Sequence, residues 1–210
     1  MYVPAHFRED RVDILHDAIC RAGLATLVSM TADGLIASHI PLLLDPAPAP
    51  YGTLIGHLAR PNPQAHGVRG EVLAIFTGPD AYITPSYYPT KRESGKVVPT
   101  WNYTAIHAYG MMTFFDDPDR LRDVVTRLTD RHERERAEPW AVTDAPEEFV
   151  TGMLKGIVGV SLAITRLEGK VKLSQNRPEA DRAGVVAGLR RDGRPDVAAL
   201  VAAAAEPPVA

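Results

Sequence analysis

Between positions 10 and 22 the apolar residues Val12, Leu15, Ile19 and Ala22 recur on one helical face, and Gly23 supplies a stop. Cys20 lies beside that face and reads as a packed structural thiol. The pattern then changes to strand-like runs. LATLVSM (24–30) and LIASHIPLLL (35–44) flank Ala32-Asp33-Gly34, and an Asp-Gly step between two such runs signals a hairpin. The proline-rich stretch 46–50 cannot supply regular ladder donors and reads as a loop. YGTLIGHLA (51–59) is a third strand, broken by Pro61 and Pro63, with a short helix over 63–69. EVLAIFTGPDAYITP (71–85) is a fourth, followed by an irregular segment, and PTWNYTAIHAYGMMTFF (99–115) is the longest strand-like run.

Asp117 as N-cap with Pro118 at the first helical position opens a helix over 118–135, whose apolar stripe is Leu121, Val124, Val125 and Leu128. Its other face, with Arg122, Arg127, Asp130, Arg131, Glu133, Arg134 and Glu135, reads as solvated. Asp144 with Glu147 resembles a capping box opening a helix to about 154. Residues 156–173 form a last strand pair or one long bent strand, and two proline-started helices follow near 178–190 and 195–205, ending in a frayed Ala/Pro segment. Consecutive strands with short connections predict an α+β fold, a mostly antiparallel sheet closing into a barrel, with peripheral helices. A single domain over 1–190 with a helical tail over 191–210 is the expected organisation.

Composition narrows the class. The 210 residues are 45% hydrophobic and 23% charged, ordinary for a globular protein with a full core. No apolar run reaches the roughly 18–20 residues of a membrane span. MYVPAHFREDR lacks the pattern of a signal peptide, and one cysteine allows no internal disulfide, so the expected compartment is the cytoplasm. The net charge of −3 gives no general attraction to DNA and leaves only a local patch at Arg190, Arg191 and Arg194.

Several chemistries are absent from the sequence. It contains no Gly-x-Gly-x-x-Gly, no Gly-Lys-Ser/Thr loop and no Gly-x-Ser-x-Gly elbow. None of the seven histidines sits in a His-Glu-x-x-His or Cys/His cluster, so no metal site is expected. What stands out are polar residues inside apolar strands: Ser38-His39, His57, Arg60 with Asn62, Trp101-Asn102-Tyr103 after Thr100, and Lys172, Ser174, Gln175, Asn176 and Arg177. Buried polar groups cost a few kcal/mol without partners. Each cluster alone reads as satisfied core or turn polars, whereas together they suit a ligand anionic at one end and flat at the other. Arg60, Lys172 and Arg177 can clamp a phosphate with Ser38 or Ser174. Trp101 and Tyr103 offer aromatic surface, and Asn102 and Gln175 offer amides for a ring edge.

The strings MYVPAHF, ASHIP (37–41), GHLARPNPQ (56–64), AYITPSYYPTK (81–91), VPTWNY (98–103), MLKGIVG (153–159) and KLSQNRPEADRAGVVAGL (172–189) resemble the PaiB-type FMN-binding negative transcriptional regulator family, from residue 1 to about 190. That resemblance implies an FMN-binding split barrel, a homodimer, and repression of transcription. It implies as cofactor-lining candidates Ser38, His39, His57, Arg60, Asn62, Trp101, Asn102, Tyr103, Lys172 and Gln175. The residues themselves leave three functions open: a regulator acting on DNA or on a protein, a flavin oxidoreductase of the pyridoxamine-phosphate oxidase and flavin reductase class, or a barrel that binds without turnover. No general base stands out; His39 and His57 are the candidates, and both read first as structural.

Overall fold

The computed structural model describes residues 1–204, and the final stretch of the Ala/Pro tail, with the last residue of the expected 195–205 helix, lies outside them. Eight strands are found among them: β1 (Arg8–Glu9), β2 (Ala25–Thr31), β3 (Gly34–Ile40), β4 (Leu43–Asp45), β5 (Thr53–Ala59), β6 (Arg69–Ile83), β7 (Thr100–Phe115) and β8 (Ile157–Lys172). Six α-helices accompany them: α1 (Val12–Arg21), α2 (Thr90–Glu93), α3 (Pro118–Glu133), α4 (Glu147–Leu154), α5 (Glu179–Arg191) and α6 (Pro195–Ala203). The strands form one antiparallel sheet in the order β3-β2-β6-β7-β8-β5-β4, with β1 paired to β8, so the fold is α+β. Residues 156–173 resolve into one long strand, not a pair.

The chain divides into two compact units. The larger comprises Arg11–Phe76 and His107–Leu167. Its hairpin β2–β3 turns at Ala32-Asp33, with Gly34 at φ 109°, a conformation glycine adopts without a Cβ penalty. The Thr31 hydroxyl donates to the Gly34 carbonyl at 3.0 Å and closes the turn. Alternation places Ala25, Leu27 and Ser29 inward, while Met30 and its cross-strand partner Leu35 are exposed. The expected strand 35–44 is interrupted at Pro41 and continues as β4, because proline supplies no ladder donor. The helix expected over 63–69 is a single 3-10 turn at Pro63–Ala65.

α3 begins as its sequence predicts, with the Asp117 carboxylate accepting from the Arg120 N–H at 2.8 Å. Leu121, Val124 and Leu128 are buried, each contributing about 1.5–3 kcal/mol of transfer free energy. Its polar face is not simply solvated: Arg131 donates to the carbonyls of Leu42 at 2.9 Å and Ala22 at 2.7 Å, and Arg127 pairs with Asp45. Gly159 of β8 is needed for packing, since a Cβ there would lie 2.2 Å from the Phe115 ring. Two local expectations fail. Cys20 is exposed, because Leu15 and Ile19 take the buried side of α1. Asp144 does not cap α4, whose N-cap is Pro146; its carboxylate accepts from the Ala141 N–H at 2.8 Å.

The smaller unit comprises Met1–Asp10, Thr77–Ile106 and the chain from Glu168 onward. β1 pairs with β8 through Arg8↔Lys170 and Glu9↔Gly169. Its core joins Ile83, Tyr87, Tyr88, Leu173, Val185, Leu189, Val197 and Val201. The Tyr87 ring sits against Gly188 of α5, where a Cβ would come within 2.3 Å of it. Its hydroxyl donates to Asp192 Oδ2 at 2.6 Å, beyond the end of the helix.

Candidate functional site

The head of β7 and the end of β8 supply a polar set in the smaller unit. Asn102 is fully buried, donates Nδ2 to Ser174 Oγ at 2.9 Å, and accepts from that hydroxyl at 3.2 Å. Ser174 has φ 65°, a left-handed conformation that costs a non-glycine residue about 1 kcal/mol or more. The reciprocal bond holds it there. Gln175 folds back, its Oε1 accepting from the Leu173 N–H at 2.7 Å and its Nε2 donating to the Val171 carbonyl at 2.5 Å. Lys172 Nζ donates to Thr100 Oγ1 at 2.5 Å and lies 6.0 Å from the Phe7 ring, with no carboxylate partner among the described residues. Lys170 donates to the Tyr2 carbonyl at 3.2 Å and lies over the Tyr103 ring at 5.2 Å. Trp101 is 53% exposed and makes an edge-to-face contact with Tyr82. This set therefore presents two ammonium groups, hydroxyls and an open indole.

A second polar set lies in the larger unit. Asn62 donates to Ser38 Oγ at 2.9 Å, and its Oδ1 accepts from the Gln64 N–H at 2.9 Å. Gln64, fully buried, donates Nε2 to the Leu27 carbonyl and to Ser29 Oγ, both at 2.9 Å. Together they tie the turn after β5 to both strands of the β2–β3 hairpin. His39 points to the opposite face from Ser38 and bonds Thr26 Oγ1 at 3.0 Å, its cross-strand neighbour.

Arg60 is anchored, with Nε donating to the Lys155 carbonyl at 2.9 Å and one terminal nitrogen to the Ile157 carbonyl at 2.7 Å and to Asp116 at 2.8 Å. His57 shares a face of β5 with Ile55, opposite Gly159. Its Nδ1 is buried without a partner among the described residues, and burial pushes the imidazole below its ordinary 6.5, which favours the neutral form at pH 7.

The ten sequence candidates thus fall into two groups. Trp101, Asn102, Tyr103, Lys172 and Gln175 belong to the smaller unit; Ser38, His39, His57, Arg60 and Asn62 belong to the larger. Bonds join Ser38 to Asn62, while Asn102 bonds Ser174 outside the candidate set. Sequence reasoning missed Gln64, Ser29 and Lys170. Gln64 carried a signal, following Asn62-Pro63 where an Asx-type turn directs the next polar side chain inward. Among the described residues no three His, Cys, Asp or Glu side chains are grouped to hold a metal ion, and no helix is long and apolar enough to cross a membrane.

Over residues 1–166 the chain matches the family model described as "Putative FMN-binding domain". That span includes eight of the ten candidates and leaves out Lys172 and Gln175. The chain is 35% identical to an uncharacterised protein of Aspergillus fumigatus, with 92% of each chain covered. It is 32% identical to the protease synthase and sporulation protein PAI 2 of Bacillus subtilis, covering 93% of this chain and 92% of that one. Among solved structures it resembles a conserved hypothetical protein of Mycobacterium tuberculosis (TM-score 0.59, 14% identity, 85% of this chain and 95% of that one). It also resembles an FAD- and heme-binding protein of Mycobacterium smegmatis (TM-score 0.57, 18% identity, 79% and 73%). These structural likenesses show the fold, the split barrel expected from the sequence. By the match over most of its length and by its relation to PAI 2, the chain belongs to the FMN-binding, PaiB-type family, whose cofactor is FMN.

Proposed function

We propose that this protein is an FMN-binding transcriptional regulator, a repressor, working as a homodimer in the cytoplasm. The observation that carries the cofactor part is Lys172, an ammonium group with a hydroxyl and a ring beside it but no carboxylate partner among the described residues. The residues present fit FMN. Lys172, Lys170 and the Thr100 hydroxyl have the chemistry to receive a phosphate, and the open Trp101 face suits a planar ring. Asn102 and Ser174, buried and bonded to each other, hold the backbone of the loop that follows Lys172. Gln175 keeps the same loop folded, and Tyr103 steadies Lys170. Ser38, His39, His57, Arg60 and Asn62 are proposed as further lining residues, to be tested by flavin-fluorescence titration of their alanine variants.

When bound, FMN supplies the redox chemistry, and a regulator uses its oxidation state or occupancy as the signal. The regulatory reading rests on the relation to PAI 2 over nearly the full length of both chains. Dimerisation is supported by exposed apolar side chains: Met30, Leu35, Met111 and Phe114 in the larger unit, Tyr82, Val98 and Trp101 in the smaller. Direct DNA contact has the least support, because Arg191 and Arg194 are paired with Asp192 and Asp196. Purified protein is expected to show oxidised-flavin absorbance and the mass of a dimer in light scattering. NAD(P)H oxidation is expected to stay at the free-FMN background, and turnover well above it would replace the regulator with a flavin oxidoreductase. A gel shift with the protein's own promoter across a salt series tests repression: binding without sequence preference counts against it.

A further inference from the structure

A cleft of about 310 Å³ lies wholly within the larger unit, lined by Arg60, Asp116, Asp119, Arg122, Glu147 and Lys155 around an apolar floor. The floor is Leu121 of α3 and Leu154 of α4, which are 2% and 7% exposed. The six charged residues are three cations and three anions, and most of them cancel. Arg60 pairs with Asp116 at 2.8 Å, and Arg122 pairs with Glu147, whose Oε1 also accepts from Thr151 at 3.3 Å. Lys155 and Asp119 are left, one of each sign, and neither side chain has a partner among the described residues. Arg60 cannot swing away to neutralise Asp119, because two backbone carbonyls hold it.

We propose that this cleft binds a small apolar α-amino acid as a zwitterion. The carboxylate faces Lys155, the ammonium faces Asp119, and the hydrocarbon side chain covers Leu121 and Leu154. Charge selects this class over its neighbours. The two ion pairs cancel, so a net anion would leave Asp119 unanswered and a net cation Lys155, whereas a zwitterion answers the one unpaired group of each sign. Volume agrees, since about 310 Å³ is at the small end of ligand pockets and has room for a small amino acid. The proposal does not rest on the polar set around Lys172; Arg60 is the one cleft residue shared with the candidate flavin-lining residues, and an effector site of this kind suits either a regulator or an enzyme.

The test is calorimetric titration of the full chain, carrying whatever flavin it purifies with, against L-leucine. Two probes each lack one charge: 4-methylpentanoate has no ammonium and isoamylamine no carboxylate. Saturable leucine binding near 1 mM or tighter is expected, with both single-charge probes at least tenfold weaker. Lys155→Met and Asp119→Asn are each expected to weaken leucine at least tenfold. Both leave the melting temperature of the unliganded protein and its flavin absorbance unchanged, which separates a lost site from a misfolded chain. Absence of saturable heat up to about 20 mM leucine overturns the proposal. So does equal binding of 4-methylpentanoate, or leucine binding that survives both substitutions.

Discussion

Asn62 in the larger unit and Asn102 in the smaller look alike in sequence, and each donates Nδ2 to a serine hydroxyl at 2.9 Å. Their neighbourhoods differ. Around Asn62 the bonds run through Gln64 to the Leu27 carbonyl and Ser29, so the set fastens a turn to a hairpin. Around Asn102 the serine is held in a left-handed conformation, and two residues before it in the chain Lys172 has no acid paired with its ammonium among the described residues. A polar residue inside an apolar strand therefore has two physical uses, and the distinction lies in whether the set is left with an unpaired charge.

Substitutions in the two sets sharpen that contrast. Gln64→Ala removes two buried bonds and leaves a void, and is expected to destabilise the fold by about 2–4 kcal/mol in urea unfolding. The folded fraction should bind FMN normally; a lost affinity with intact stability would reverse the assignment. Lys172→Met is expected to do the opposite. It should weaken FMN roughly ten- to a hundredfold in a flavin-fluorescence titration, the equivalent of about 1.5–3 kcal/mol for a charged hydrogen bond, with the urea midpoint nearly unchanged. An unchanged FMN titration would remove Lys172 from the site.

Two smaller effects test the units separately through pH. In the smaller unit, burial and the bond to Asp192 push the Tyr87 phenol up to about 12. The folded state thus holds this proton more tightly than the unfolded chain, and the associated stability is complete below about pH 10 and lost as pH rises toward 12. Tyr87→Phe should flatten that part of the stability profile and cost about 1 kcal/mol at neutral pH. In the larger unit, burial of His57 lowers its pKa, so the sign reverses. Its contribution is present above pH 6.5 and declines as pH falls below that value. His57→Leu is expected to reduce the acid-side loss between pH 7 and 5, a small change read from melting temperature. An unaltered slope would mean that His57 takes up its proton in the folded state as readily as in the unfolded chain.

Much of the fold was legible in the chain because its signals are local. The apolar stripe of α3 with Asp117 and Pro118 at its start needed no tertiary information, nor did the hairpin at Asp33-Gly34. The readings that failed were those a neighbour decides. Cys20 and Leu15 both border one helix face, and only the packing of α1 determined which would be buried. Arg127 and Arg131 look like solvated charges until Asp45 and the Leu42 and Ala22 carbonyls are placed beside them.

The candidate site shows the same division. Residue identity determined that hydroxyl, amide, aromatic and cationic groups interrupt the strands, and the order of the motifs determined the family and its cofactor. Tertiary structure decided which of those groups bond one another. It separated Ser38 from His39 by the two-residue alternation of β3, fixed Arg60 on carbonyls nearly a hundred positions away, and bonded Lys172 to the Thr100 hydroxyl. The physical reason is that a side chain's chemistry is intrinsic, whereas its unmet hydrogen bonds and charges depend on partners that only the folded chain brings within about 3 Å.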